Sequence, residues 1–298
     1  MKRCPPGLPG AIDLSDNPFD HNGHAMSHAA LPDHAHASTP AIAQAAPNPA
    51  NGPSARFFTE VGIVPGMRVL DVGCGNGDLS RFVARLVGPD GEVIAIDRSP
   101  EALAMSQTAD EGPQAAPIHY RQADLADALP DLGRFDAIVG RRVLMYLPDT
   151  IATLARLAAL AKPGAIMAFQ EHGRAGLPAG LGELPLHRRL YGWLWDTVAA
   201  EGGDTGLALR LADLLQAAGH RIEVVRSEGV LLQAGEPSFL PTLAGAMLPR
   251  MVERGVASTE EVGLDTLAQR LREEHGAVGG MIVWDLAFLV SAHVTSGR

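Results

Sequence analysis

The stretch VLDVGCGNGDLS, residues 69–80, places Gly73, Gly75 and Gly77 at alternate positions directly behind a short apolar run. Glycine enters left-handed backbone conformations without a Cβ penalty and lets a ligand touch the main chain. The apolar run is strand-like in length, and LSRFVARLV after it carries helical periodicity. Strand, glycine loop and helix in that order open a doubly wound sheet, which binds ligands beyond the carboxyl ends of its strands.

The loop departs from the GxGxxG pattern of dinucleotide sites, because position 78 is aspartate rather than glycine. A carboxylate at a helix N-terminus opposes a second anion there. The loop therefore favours a ligand without phosphates and with a positive amine near Asp71. Asp97 lies twenty positions beyond Gly77, at the end of the next apolar run, where a carboxylate can accept from both hydroxyls of a ribose. Asp124 closes a further run and suits the amino group of an adenine, with Leu125 and Met105 offering apolar contact.

Outward from this unit the alternation continues. SARFFTEVGI reads as a short preceding helix, and EVIAIDRS as a second strand after the Asp90-Gly91 turn. SPEALAMSQTAD begins a helix that Ser99 caps, with Pro100 in its first turn. IHYRQAD, FDAIVG and AIMAFQEH read as strands, with TIATLARLAALA as a helix between the last two. Strands separated by helices predict a mostly parallel α/β sheet covered on both faces.

With 298 residues, 46% of them hydrophobic, the chain can bury a full core. Its net charge of −10 implies no general attraction to nucleic acid or anionic lipid. Cys4 and Cys74 fit neither a disulfide framework nor zinc spacing, no run approaches a membrane span, and the start lacks a signal-peptide core. A soluble, cytoplasmic protein is expected. Residues 1–50 are rich in Pro, Ala and His and poor in large apolar groups, so they read as a flexible leader. Two alternatives are a metal site among His21, His24, His28, His34 and His36, and a segment that folds over the site with ligand.

The motifs VLDVGCGNGDLS, IAIDRSPEALAMS, HYRQADLADALP, FDAIVGRRVLMYLPD and AKPGAIMAFQEH together resemble the class I S-adenosylmethionine-dependent methyltransferases, closest to the small-molecule group that includes quinone-biosynthesis enzymes. The resemblance is close over residues 54–172 and looser beyond. It implies a seven-stranded Rossmann-like sheet of order 3-2-1-4-5-7-6, in a single domain over residues 51–298. It implies S-adenosyl-L-methionine as cofactor and S-adenosyl-L-homocysteine as product. Asp71, Gly73, Cys74, Gly75 and Gly77 would surround the methionine part, Asp97 the ribose, and Arg98, Asp124 and Leu125 the adenine. Gly140 and Arg141 would close the methionine side.

After His172 the alternation breaks, and residues 173–206 form an insertion expected to roof the site as a substrate lid. It concentrates His187, Tyr191, Trp193 and Trp195 in a chain that is only 5% aromatic, so it suits a partly apolar acceptor. The same aromatics also serve simple packing against the body. Further on, PSFLPTLAGAMLPRMVERG reads as a helix with Pro241 and Pro249 near breaks or ends. STEEVGLDTLAQRLREE reads as one final helix started by a Ser258–Glu261 capping box, and GGMIVWDLAFLVSAHV as the last strand.

A sulfonium-bound methyl needs alignment more than activation, so no metal is required. His172, at the end of the fifth strand, is the first candidate base; His187 is the second, and Glu171 could orient either. Arg142 beside Arg141 could hold a carboxylate, phosphate or enolate of the acceptor. O-methylation leads, with C- or N-methylation, a non-methylating pericyclase-like reaction and a scaffold subunit as alternatives. An acidic chain without an NPPY-like motif argues against a nucleic-acid substrate. Either a monomer or a homodimer fits the sequence.

Overall fold

A computed structural model of the chain describes residues 51–107 and 114–295. The N-terminal leader and its five histidines lie outside the described residues. Helix α1 (Asn51–Glu60) precedes β1 (Arg68–Val72), α2 (Asp78–Val87), β2 (Glu92–Asp97), α3 (Pro100–Ser106) and β3 (Ile118–Gln122). Then come β4 (Phe135–Arg141), a short 3-10 turn (Leu144–Tyr146), α4 (Thr150–Ala159) and β5 (Ala161–His172). Helices α5 (Pro185–Ala200) and α6 (Leu207–Ala217) lead to β6 (Arg221–Leu232). Helices α7 (Leu240–Glu253), α8 (Thr259–Val262) and α9 (Leu264–Val278) lead to β7 (Ile282–His293).

The seven strands lie in the order β3-β2-β1-β4-β5-β7-β6, as expected. The first five pair in parallel, while β7 runs antiparallel to both β5 and β6. The register Val69↔Val93 and Leu70↔Ile94 sends alternate residues of β1 and β2 to opposite faces. Val69, Val93 and Val139 pack against Phe57, Phe58 and Val83 of α1 and α2. Leu70, Ile94 and Ile138 pack on the other face with Leu154 and Leu157 of α4 and Leu211 of α6. Burial on both faces is why these strands are uninterrupted apolar runs. Each large side chain so buried contributes about 1.5–3 kcal/mol.

Helix starts follow local chemistry. The Ser99 hydroxyl accepts Ala102 N–H at 3.1 Å with Pro100 in the first turn, and Asp149 accepts Ala152 N–H at 2.9 Å. The Ser258–Glu261 box is complete in both directions, at 3.1 and 2.8 Å.

Three expectations are corrected. The final helix is two helices, because Gly263 turns left-handed at φ 56 and its N–H returns to Thr259 O at 2.9 Å. Pro241 sits in the first turn of α7, but Pro249 stands inside that helix; the residue four positions earlier is Gly245, which adds no side chain to the crowding. Strand β5 starts earlier than AIMAFQEH because the β4 register jumps from Phe135↔Ala161 to Ala137↔Ile166, and Lys162, Pro163 and Gly164 bulge into solvent. Among the described residues no helix is long and apolar enough to cross a membrane.

Candidate active site

One cavity of about 700 Å³ lies at the carboxyl ends of β1, β2, β4 and β5. Its first half is lined by Asp71, Gly73, Cys74, Gly75, Asp97 and Arg98, with Asp124 and Leu125 beyond. The second half is lined by Arg142, His172, Tyr191 and Trp195, and by residues of α7 and β7.

The three glycines do different jobs. All are left-handed, with φ 66, 53 and 80 at Gly73, Gly75 and Gly77. A Cβ on Gly73 would meet Val143 Cγ2 at 2.3 Å, and one on Gly77 the Tyr120 hydroxyl at 2.8 Å. A Cβ on Gly75 would meet nothing within 4 Å. Gly75 therefore presents bare backbone to open cavity, whereas Gly73 and Gly77 are small because protein packs on them; Gly77 is not among the lining residues. Gly140 also lies outside the lining, with Phe169, Val143 and Val72 each 3.0 Å from a would-be Cβ. Met105, expected against an adenine, is 66% exposed and does not line the cavity.

Asp71, one residue before the end of β1, is fully buried. Its Oδ2 accepts the Ser80 hydroxyl at 2.6 Å, and its Oδ1 has no partner among the described residues. Burial pushes its carboxyl up to about 7, against the Ser80 hydrogen bond and Arg141, which lower it. An orphaned carboxylate oxygen in the cavity wall fits a cationic amine, which would supply the missing partner. The Asp97 carboxylate ties the loop to β2, accepting Gly75 N–H at 2.8 Å and Ser99 N–H at 2.9 Å. Asp124 Oδ1 accepts Ala126 N–H at 2.9 Å. The Cys74 thiol is pushed up by burial and by the charges of Asp71 and Asp97, so it stays protonated.

Asp78 is engaged within the protein. Its Oδ1 takes Arg81 at 2.7 Å, its Oδ2 takes Asn76 at 3.1 Å, and Arg141 lies 3.8 Å away. Arg141 turns inward, donating to Asn51 Oδ1 at 3.0 Å and Ser54 Oγ at 3.5 Å. Burial and the neighbouring Arg142 bring it down to about 10. Arg142 is different. It is the only non-glycine residue with positive φ, 58°, among the described residues, and its N–H donates to Gln170 O at 2.8 Å. Its exposed side chain lines the cavity.

At the end of β5 a hydrogen-bonded chain crosses the site. Ser54 Oγ donates to Gln170 Oε1, Gln170 Nε2 lies 3.2 Å from His172 Nε2, and His172 Nδ1 lies 2.8 Å from Asp285 Oδ2. The Tyr191 hydroxyl is 3.4 Å from Asp285 Oδ1, and burial raises it to about 12.

Other expected site residues stand elsewhere. Glu171 is fully buried outside the lining and accepts Val143 and Leu144 N–H, both at 2.9 Å, so it clamps the 3-10 turn. Burial pushes it up to about 7. His187 is buried outside the lining, where its Nδ1 meets Glu274 Oε2 at 2.6 Å and its ring packs edge-on to Trp284. Burial lowers its proton affinity despite Glu274. Trp193 is half-buried against the core and does not face the cavity.

Sequence reasoning missed Phe239 at the N-cap of α7, Leu243, Met247 and Arg250 within it, and Trp284 and Asp285 from β7. Asp285 carried a signal: it is the one acidic residue in MIVWDLAFLVSAHV. The α7 residues carried none, because tertiary packing alone brings that helix over the site. Among the described residues no three His, Cys, Asp or Glu side chains gather as a metal site.

A family model described as a methyltransferase domain matches residues 63–218, just over half of the chain. The chain is 38% identical over 102 residues to a ubiquinone biosynthesis O-methyltransferase of Xanthomonas campestris, covering 34% of this chain and 41% of the relative. It is 32% identical over 174 residues to a trans-aconitate 2-methyltransferase of Methylobacterium radiotolerans, covering 56% of this chain and 60% of the relative. It thus spans about two fifths to three fifths of these relatives. A crystal structure of a candidate methyltransferase from Bacillus halodurans superposes with TM-score 0.53 at 14% identity, over 81% of this chain and 98% of that one. That likeness is one of fold.

Proposed function

The chain belongs to the methyltransferase-domain family, and on that footing we propose that it binds S-adenosylmethionine and methylates a small, partly apolar molecule at oxygen. The observation that carries this reading is the continuity of one cavity from Asp71, Gly75 and Asp97 to Trp195 and Trp284. In it an acidic half suited to a cationic nucleoside and an aromatic half meet. The O-methyltransferase name of the Xanthomonas relative supports the choice of oxygen.

The cofactor, when bound, supplies a methyl on a positively charged sulfur. Asp71 Oδ1 would hold its amine, and the bare backbone of Gly75 would let its chain lie against the loop. Asp97 would accept from the ribose hydroxyls, and Asp124, Leu125 and Arg98 would frame the adenine. Cys74 contributes a small uncharged wall, and Arg141 braces Ser54 and Asn51 over the methionine side. Tyr191 and Trp195, from the segment that acts as substrate lid, hold the acceptor in line with the methyl, and alignment supplies much of the catalysis.

Calorimetric titration with S-adenosylmethionine, S-adenosylhomocysteine and NADH tests the reading. Micromolar binding of the first two, weakened at least about tenfold by Asp97→Ala through loss of charge-assisted hydrogen bonds, is expected. Binding of NADH alone would overturn it.

A further inference from the structure

We propose that the acceptor is a carboxylate on an apolar body, held as the anion by Arg142; this specifies the acceptor of the transferase reading above and rests on it. Of the four arginines around the cavity, three are engaged elsewhere. Arg141 is turned into the protein by Asn51, Ser54 and Asp78. Arg250 is closed by a two-pronged pair with Glu201. Arg98 stands beside Asp97 at the nucleoside end and feels the charge of Glu201. Arg142 forms no ion pair or side-chain hydrogen bond among the described residues; its charge reaches the buried Glu171 behind the turn, and the residue lines the cavity. A left-handed backbone at arginine costs about 1–2 kcal/mol. The N–H bond to Gln170 O holds that conformation beside the ends of β4 and β5. A guanidinium fork matches a carboxylate in two parallel hydrogen bonds.

Among the described residues, the proton-accepting groups His172, Asp285 and Tyr191 of this half of the cavity are each engaged by protein neighbours. His172 has both ring nitrogens engaged, by Asp285 at 2.8 Å and Gln170 at 3.2 Å. Asp285 Oδ1 accepts Leu286 N–H at 2.8 Å while Oδ2 faces His172. The Tyr191 hydroxyl lies 3.2 Å from Gly173 O. An acceptor that must lose a proton here meets only groups already engaged by protein neighbours. A carboxylic acid, ordinarily near pKa 4, is already ionised at neutral pH, whereas a phenol near 10 is not. The carboxylate lone pair forms the new O–C bond as the C–S bond breaks with its electron pair left on sulfur. Anion and sulfonium become neutral ester and neutral thioether, and no proton moves.

The remaining wall is apolar. Trp195, Trp284, Phe239, Leu243 and Met247 offer aromatic and aliphatic surface. An apolar ring or chain gains from that contact, and a small, highly charged acid does not.

The test is calorimetric titration of the full chain, loaded with S-adenosylhomocysteine, with 2-naphthoate and its neutral counterpart 2-naphthamide. Naphthoate should bind about tenfold or more tighter, as a charge-assisted pair requires. Arg142→Gln should erase that preference while S-adenosylhomocysteine affinity stays unchanged, and Arg142→Lys should keep part of it. Arg142→Gly relieves the left-handed strain and serves as a second variant that folds without the charge. Trp195→Ala should weaken both ligands alike. Equal affinities in the wild type, no binding of either ligand, or a preference that survives Arg142→Gln would overturn the proposal with the transferase reading intact. Failure of S-adenosylhomocysteine to bind would overturn the transferase reading and this proposal with it.

Discussion

Gln170 Nε2 lies 3.2 Å from His172 Nε2, and an amide nitrogen only donates across that gap. The amide is held in this sense because its Oε1 takes the Ser54 hydroxyl. That contact selects the His172 tautomer with its proton on Nδ1, facing Asp285 at 2.8 Å. Long-range ¹⁵N spectra at neutral pH should show a protonated Nδ1 and a bare Nε2. A proton on Nε2 would contradict the arrangement. Gln170→Ala removes the partner of His172 Nε2 and one of the partners of Ser54, and should lower unfolding free energy by about 1–3 kcal/mol in urea titrations.

Asp71 makes cofactor affinity depend on pH. Burial holds its carboxyl at about 7, so below that pH the free protein keeps the proton. A cationic amine binds the carboxylate, and binding must expel the proton. Affinity for S-adenosylhomocysteine should therefore fall about tenfold per pH unit below 7, with about one proton released per molecule bound at pH 6. Calorimetry in buffers of different ionisation enthalpy reads that proton directly. Asp71→Asn should bind weakly with no such slope. A wild type whose affinity is flat from pH 5 to 7 would remove Asp71 from the amine's side.

Gly73 and Gly75 should separate stability from binding. Alanine at either position takes on a left-handed backbone, at about 1–2 kcal/mol. At Gly73 it also drives a methyl to 2.3 Å from Val143 Cγ2, and overpacking adds about 1–3 kcal/mol. Gly73→Ala should thus melt well below Gly75→Ala. Gly75→Ala should keep most of its stability and lose cofactor affinity, because its methyl points into open cavity. The reverse order in thermal melts and titrations would refute the division.

Local chemistry made most of the sheet legible in advance. A buried strand, a left-handed glycine loop and a helix are each decided within a few residues, and VLDVGCGNGDLS contains all three. Ser99, Pro100 and Ser258 likewise announce helix starts by hydrogen bonds to their own neighbours. The acceptor half of the site was less legible. His187 and Tyr191 are one helical turn apart on α5, yet Glu274 of α9 captures the first and the cavity receives the second. Trp193 and Trp195 are two residues apart and so face different ways. Which face of α5 turns inward is settled by α7 and α9, far along the chain.

His220 should set part of the acid sensitivity. It is buried, and neither ring nitrogen has a partner among the described residues. Burial lowers its pKa from the ordinary 6.5, so the unfolded chain binds a proton before the folded one does. A histidine depressed in this way contributes stability above pH 6.5 that is lost as pH falls through 6.5 toward the folded value. His187 is depressed in the same direction. Asp71 and Glu171 act the other way, since carboxyls raised to about 7 hold protons in the folded state from pH 7 down toward 4. The comparison that isolates His220 is therefore wild type against His220→Leu, in which the carboxyl contributions cancel. Replacing an unsatisfied polar group by an apolar one of similar shape is nearly neutral or stabilising, so the two should agree within about 1 kcal/mol at pH 7.5. Urea unfolding at pH 5.5 should then favour the variant by a wider margin than at pH 7.5. A margin that stays constant or narrows with acid would mean that His220 keeps a partner in both protonation states.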